Sequence, residues 1–253
     1  MPIPIPDARR LSFLSIVLPC HNEELNVVPA IVEAHVAGAA HARRHEIVVV
    51  DDGSSDNTGA LASACAESDA RVRVVHHERN RGYGAAVRSG FAASRGDWVL
   101  LTDGDLQFDL AELEHFLPLA AEHDLVAGYR IDRADPAGRR LAAHAWNALV
   151  RRSLGVTVAD VDCAFKLARG DALRALPLAS DGAMISTELL VRAQRAQWRI
   201  AEVGVHHRPR VAGAPSGGDP RVVLRAFREH RELRRALREG ERAPAAAPAP
   251  RTT

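Results

Sequence analysis

Short unbroken apolar runs, separated by helix-length segments, constrain this chain more than any other feature. The runs are Leu14–Leu18, Ile47–Val50, Val72–Val75, Trp98–Leu101 and Leu125–Gly128. Between them, residues from about Val27 to Ala40, from near Thr58, from near Tyr83 and over Leu110–Ala121 read as helices. β-Branched runs alternating with helical patterns of roughly 10–15 residues predict βαβ units and a parallel sheet. Ile47–Val50 and Trp98–Leu101 lack polar alternation, as strands covered on both faces do. The expected fold is α/β, a mostly parallel sheet with helices on both faces.

Beyond residue 130 the rhythm changes. Residues 137–154 read as a helix with Leu141, Ala145, Trp146, Leu149 and Val150 on one side and Arg139, Arg140, Arg151 and Arg152 near its ends. Asp162–Ala168 and Ile200–Val205 are strand candidates, and Ser186–Ala196 reads as a helix capped by Ser186. Residues 212–220 are a Gly/Pro/Ser-rich loop, and 221–239 an Arg-rich amphipathic helix. The expected organisation is an extension (1–11), one α/β domain (12–211), the loop and basic helix (212–239), and a disordered Ala/Pro tail (240–253).

Composition narrows the function classes. A net charge of +1 gives no general pull toward nucleic acid, and 4% aromatic residues offer little to stack on unpaired bases. Cys20, Cys65 and Cys163 lie too far apart in sequence to suggest a zinc site or disulfide framework, so a reducing compartment is expected. No run approaches the ~18–20 apolar residues of a membrane span, and the Pro-broken start Met1–Pro6 does not read as a signal peptide. A cytoplasmic location follows, with any membrane contact peripheral. His76-His77 and His206-His207 read as surface or core histidines. Of 33 basic residues, one is lysine, Lys166.

The chemistry lies where the carboxylates fall. The first strand leads into Pro19-Cys20-His21-Asn22-Glu23, the second into Asp51-Asp52-Gly53-Ser54-Ser55-Asp56-Asn57-Thr58, and the fourth into Thr102-Asp103-Gly104-Asp105-Leu106-Gln107. Open α/β sheets bind ligands at their carboxyl edge. Three acidic stations there repel one another unless a cation sits among them, and Asp103-Gly104-Asp105 offers hard oxygen ligands for Mg²⁺ or Mn²⁺. Singly, each Asp reads as a turn or cap residue; convergence is what favours a site. A GxGxxG first turn is absent, as is a P-loop, so dinucleotide and P-loop readings fall away.

These motifs resemble the family-two inverting glycosyltransferases of the GT-A fold, carried by Ser15–Glu24, Ile47–Thr58 and Asp103–Gln107. The chain is more closely similar to the dolichyl- or polyprenyl-phosphate mannosyl/glucosyltransferase branch. Asn80–Ala86, Asp162–Leu167, Glu202–Val205 and Arg208–Arg210 match its other landmarks. The resemblance implies that Pro19, His21, Glu23, Val50 and Asp52 hold the base and ribose of a GDP- or UDP-hexose. It places Asp103, Gly104, Asp105 and Gln107 around the metal and diphosphate, with Asp103, Asp105 and Gln107 as metal candidates. Arg130 and Arg210 would face the phosphates. Two departures stand out: His21 replaces a usual aromatic, and Ser216 replaces a lysine of close relatives, its phosphate contact passing to Arg221 or lost.

The catalytic candidates are Asp105, Glu188 and Asp162. A lipid phosphate, with a second pKa near ~6, attacks without a strong base, whereas a hydroxyl acceptor needs a positioned carboxylate. Glu188 sits where hydroxyl-directed relatives carry theirs; alternatively it is a first-turn carboxylate favoured by the helix dipole. Residues 137–154 and 221–239 favour a polyprenyl-phosphate acceptor, because basic amphipathic helices lie on anionic membranes. The remaining readings are a soluble hydroxyl acceptor and a non-catalytic nucleotide-sugar-binding paralogue. Access to a lipid would be peripheral or through a membrane partner protein.

Overall fold

A computed structural model describes residues 10–131, 137–210 and 220–242, and for 137–144, 220–223 and 240–242 it gives no side-chain surroundings. Among the described residues seven strands form one sheet in the order β3-β2-β1-β4-β6-β5-β7. The strands are β1 (Leu11–Cys20), β2 (Ala42–Asp51), β3 (Val72–His76), β4 (Trp98–Leu101), β5 (Leu125–Ile131), β6 (Lys166–Arg169) and β7 (Ile200–His206). β1 pairs in parallel with β2 and β4, β2 with β3, and β5 with β7; β6 alone runs antiparallel, between β4 and β5.

The connecting helices are α1 (Val27–His41), α2 (Thr58–Ser68), α3 (Tyr83–Ala93), α4 (Leu117–Ala120), α5 (Ala137–Leu154), α6 (Gly170–Ala175), α7 (Ile185–Arg195) and α8 (Pro220–Arg242). Successive residues of a strand face opposite ways, so Ile16 and Leu18 join one core while Val17 joins the other. The first core lies against α1, α2 and α4, the second against α3, α7 and α8. Both faces of the sheet are covered, which is why the central strands carry no polar alternation.

Several boundaries differ from the sequence pattern. The helix expected over Leu110–Ala121 is a 3-10 turn, Leu110–His115, followed by the short α4. Asp109 accepts from the Ala111 amide at its start, and Pro118 offers no amide for continuous i to i−4 bonding. The strand expected over Asp162–Ala168 pairs only from Lys166, opposite Leu101, where β4 ends. Ser186 is not the cap of α7: Met184 takes that place, and the buried Ser186 hydroxyl has no hydrogen-bond partner. α8 runs to Arg242, past the expected start of the tail. The extension 1–9, most of the 212–220 loop with Ser216, and 243–253 lie outside the described residues, as do the side chains of Arg139, Arg140, Leu141, Arg221, Val222 and Val223.

α5 and α8 pack through Trp146, edge-on to Phe227 at 5.1 Å and to His230 at 6.0 Å, and through Ser153, 3.1 Å from His230 Nε2. Leu233 and Leu237 of α8 are buried in the second core.

Leu100 is fully buried at the middle of the sheet, paired with Ile16 and Leu167. Leu100→Ala is expected to cost about 3 kcal/mol through lost burial and a residual cavity, read from urea unfolding.

Candidate active site

Parallel pairing brings the ends of β1, β2 and β4 to one edge. The Asp52 amide donates to the Cys20 carbonyl at 2.9 Å, and the Thr102 amide to Val17 at 3.2 Å. Gly104 is seated against this junction, and a Cβ there would lie 2.6 Å from Cys20 Sγ. Only glycine lets the Asp103–Asp105 turn approach so closely. Leu106 follows at φ 63°, in the left-handed region.

Asp52, buried, accepts from His77 Nδ1 at 2.6 Å, from the Arg81 amide at 2.9 Å and from the Gly82 amide at 2.8 Å. His77 Nε2 meets Ser89 Oγ at 2.9 Å. Gly82 adopts φ 103°, open to glycine but not to a side chain, and thereby starts α3. Tyr83 follows, and its hydroxyl donates to Asp103 at 2.9 Å. The second and fourth strand ends are thus bound together through the start of α3. Asp51 is pushed up by burial, but hydrogen bonds from Ser54 and His76 carry its pKa below the ordinary value.

Asp103 and Asp105 are both raised. Burial is the main cause for Asp103, opposed by the Tyr83 hydroxyl and the charges of Arg130 and Lys166. Burial and then the charge of Asp103 lift Asp105 to about 7. Arg210 holds Asp105 at 3.4 Å and also pairs with Glu23, which accepts from Asn26 at 2.7 Å. Behind Asp103, Arg130 clasps Asp160 at 2.7 and 2.9 Å; burial lowers the Arg130 pKa, but this pairing raises it overall. Asp162 is raised by burial and by Asp160. Five carboxylates (Glu23, Asp103, Asp105, Asp160, Asp162) therefore meet three cations (Arg130, Lys166, Arg210) in one electrostatic neighbourhood. A divalent cation between Asp103 and Asp105 would offset the surplus, and their hard oxygens suit Mg²⁺ or Mn²⁺. Among the described residues no three His, Cys, Asp or Glu side chains gather as a metal site, so further ligands would come from water or a diphosphate.

The structure thus assembles Glu23, Asp52, Asp103, Gly104, Asp105 and Arg210. Pro19 pairs with Val50 across the strands, and His21 Nδ1 lies 3.1 Å from the Asp52 carbonyl. The other candidates are placed differently. The Val50 side chain is sealed in the second core, so it presents no side-chain atom to a nucleotide. Gln107 donates its side-chain amide to the Arg208 carbonyl at 3.1 Å, tying the acidic turn to the segment after β7.

Glu188, in the first turn of α7, is engaged by its own surroundings. It accepts from the Ala179 and Ser180 amides at 3.0 and 2.7 Å and from Arg192 at 2.7 Å. Burial pushes its pKa up, but these donors hold it below the ordinary value, which weakens it as a base. Its carboxylate anchors the 179–184 loop instead, and that loop's Asp181 carbonyl caps the Gly84 and Ala85 amides of α3. Sequence reasoning missed Asp160, Lys166, His77 and the role of Tyr83. Asp160 stands two residues before Asp162, and Tyr83 sits inside the Asn80–Ala86 motif.

Residues 15–176 match the profile of Glycosyl transferase family 2, and the chain belongs to that family. It is 32% identical over 221 residues to undecaprenyl-phosphate 4-deoxy-4-formamido-L-arabinose transferase of Shewanella sediminis, covering 87% of this chain and 66% of that protein. It is 36% identical to glycosyltransferase AglD of Haloferax volcanii, covering 83% of this chain and 34% of that protein. The chain therefore spans less than two thirds of these relatives' length. Glucosyl-3-phosphoglycerate synthase of Mycobacterium tuberculosis, solved with Mn²⁺, UDP and glucosyl-3-phosphoglycerate, shares the fold at TM-score 0.66 and 23% identity, covering 91% of this chain and 81% of that one.

Glu188→Gln is expected to destabilise the protein by about 1–3 kcal/mol at neutral pH, since a charge-assisted acceptor of buried amides is lost. Because the folded-state pKa is depressed, this stabilisation is present above the ordinary value of 4.5 and lost as pH falls through the folded value. Unfolding curves of wild type and variant should therefore converge on acidification below pH 4.5.

Proposed function

We propose that this chain transfers a hexose, with inversion, from a GDP- or UDP-sugar to a polyprenyl phosphate. The Asp103-Gly104-Asp105 turn, seated on the carboxyl ends of β1, β2 and β4, carries this reading. Asp52, Glu23, His21 and the backbone at Pro19 and Val50 would receive the nucleoside, and Arg210 the diphosphate. Asp103 and Asp105 would hold Mg²⁺ or Mn²⁺, which supplies Lewis-acid neutralisation of the departing diphosphate. The Mn²⁺ and UDP of the solved relative support that assignment.

In the proposed reaction a phosphate oxygen of the acceptor bonds to the anomeric carbon as the bond to the diphosphate breaks. The electron pair leaves with the nucleoside diphosphate. A lipid phosphate is largely ionised at neutral pH, so no side chain needs to take a proton from it. The engagement of Glu188 by its own loop accords with this. Arg130, locked to Asp160, would act as a fixed positive charge behind Asp103 rather than as a mobile phosphate ligand.

A lipid acceptor is supported by the relative named for undecaprenyl phosphate and by the α5–α8 surface. Leu149, Leu224 and Phe227 stand exposed there beside Arg228, Arg231 and Arg235, which line an open groove of about 920 Å³ with Leu224 and Phe227. Apolar side chains flanked by arginine suit the interface of an anionic membrane. Among the described residues no helix is long and apolar enough to cross a membrane. The arginine-flanked apolar surface would make a peripheral contact at the membrane's cytoplasmic face.

Asp105→Asn is expected to weaken Mn²⁺-dependent binding of UDP or GDP by more than about tenfold in calorimetry. With wild type, label from a nucleotide hexose should move into the organic phase with a short polyprenyl phosphate. Label confined to aqueous products would favour a soluble hydroxyl acceptor. Arg231→Glu combined with Phe227→Asp should abolish sedimentation with anionic vesicles while leaving nucleotide binding intact.

A further inference from the structure

The chain uses arginine at 32 of its 33 basic positions and keeps one lysine. Lys166 is also the most deeply buried lysine or arginine among the described residues. It opens β6 between Leu101 of β4 and Ala127 of β5 and is 1% exposed. Its ammonium donates to the Cys163 carbonyl and lies 3.4 Å from that of Val161. Those carbonyls belong to the turn that bears Asp160 and Asp162, and Asp160 in turn grips Arg130.

Size and charge both matter at such a position. An ammonium is a compact point charge with three donors, which the inner side of a turn can satisfy. A guanidinium is planar, carries five donors and needs more room and more acceptors; its unmatched N–H groups would be buried at a cost. A neutral side chain would fit but would leave the carboxylates with two cations instead of three. Burial lowers the Lys166 pKa, opposed by Cys163 and by the carboxylates of Asp160 and Asp162, and its charge in turn lowers the pKa of Asp103, Asp160 and Asp162.

We propose that Lys166 is a positioning residue for the donor site. Its buried ammonium ties the Val161–Cys163 turn, and through Asp160 the Arg130 guanidinium, in place behind Asp103. Neither arginine nor a neutral side chain performs both tasks. The proposal rests on reading the Asp103–Asp105 turn as the donor site.

The test compares wild type with Lys166→Arg, Lys166→Gln and Lys166→Met, and with Arg71→Lys as an exposed control. Two quantities are read on proteins that melt cooperatively: Mn²⁺-dependent affinity for UDP and GDP by calorimetry, and amide exchange across residues 159–165. All three Lys166 variants should lose about tenfold or more in nucleotide affinity, the range seen when the supports of a metal site are removed. Arg71→Lys should lose none. Gln, which keeps amide donors for the carbonyls, should retain more exchange protection than Met without recovering affinity, a separation that a purely structural role would not give. Should Met fail to fold, the Arg and Gln variants carry the comparison. Wild-type affinity in either Arg or Gln would overturn the proposal. A wild-type protein that binds neither nucleotide would overturn the donor-site reading itself, and this proposal with it.

Discussion

Carboxylates crowded at the end of a parallel sheet repel one another, and much of the surrounding structure answers that repulsion. Parallel β1, β2 and β4 deliver Glu23, Asp52, Asp103 and Asp105 to one edge whether or not their charges agree. Asp52 is relieved by two backbone amides and His77, and Glu23 by Arg210 and Asn26. Asp103 receives one hydroxyl, from Tyr83, and Asp105 receives the Gln107 amide and Arg210. These last two remain raised, as expected of carboxylates shaped for a cation.

The same constraint explains the residues that hold this edge from behind. α3 begins at Gly82 because Asp52 takes the Gly82 amide and Asp181 caps the next turn. Asp181 is held by a loop whose amides close on Glu188. From the other side, the turn before β6 carries Asp160 to Arg130. A buried acid on α7 and a buried base on β6 thus brace the acidic turn from two directions, neither adjacent to it in sequence.

Much of the layout was legible from local pattern. Apolar runs without alternation marked buried parallel strands, and the acidic stations marked the binding edge, because a strand's end is a local property. The antiparallel β6 was placed only approximately: its pairing begins where β4 stops, and that limit belongs to the partner strand. The broken Leu110–Ala121 helix was readable in Pro118, but the apolar period dominated. The two readings of Glu188 stay open in sequence because a first-turn glutamate looks alike whether it faces a substrate or the amides of its own loop. For Val50 the motif marks the strand, while the direction of its side chain, into the core, is set by the sheet.

The sequence by itself determined the family, the α/β architecture and the Asp103-Gly104-Asp105 turn, since each is written in contiguous residues. The tertiary structure decided which charges are spent and which stay available. Arg130 goes to Asp160, Arg210 is shared between Glu23 and Asp105, and Glu188 goes to its loop. It also gave the single lysine its place, buried behind the acidic turn. Electrostatic pairing depends on distances between residues far apart in the chain, and only folding sets those distances.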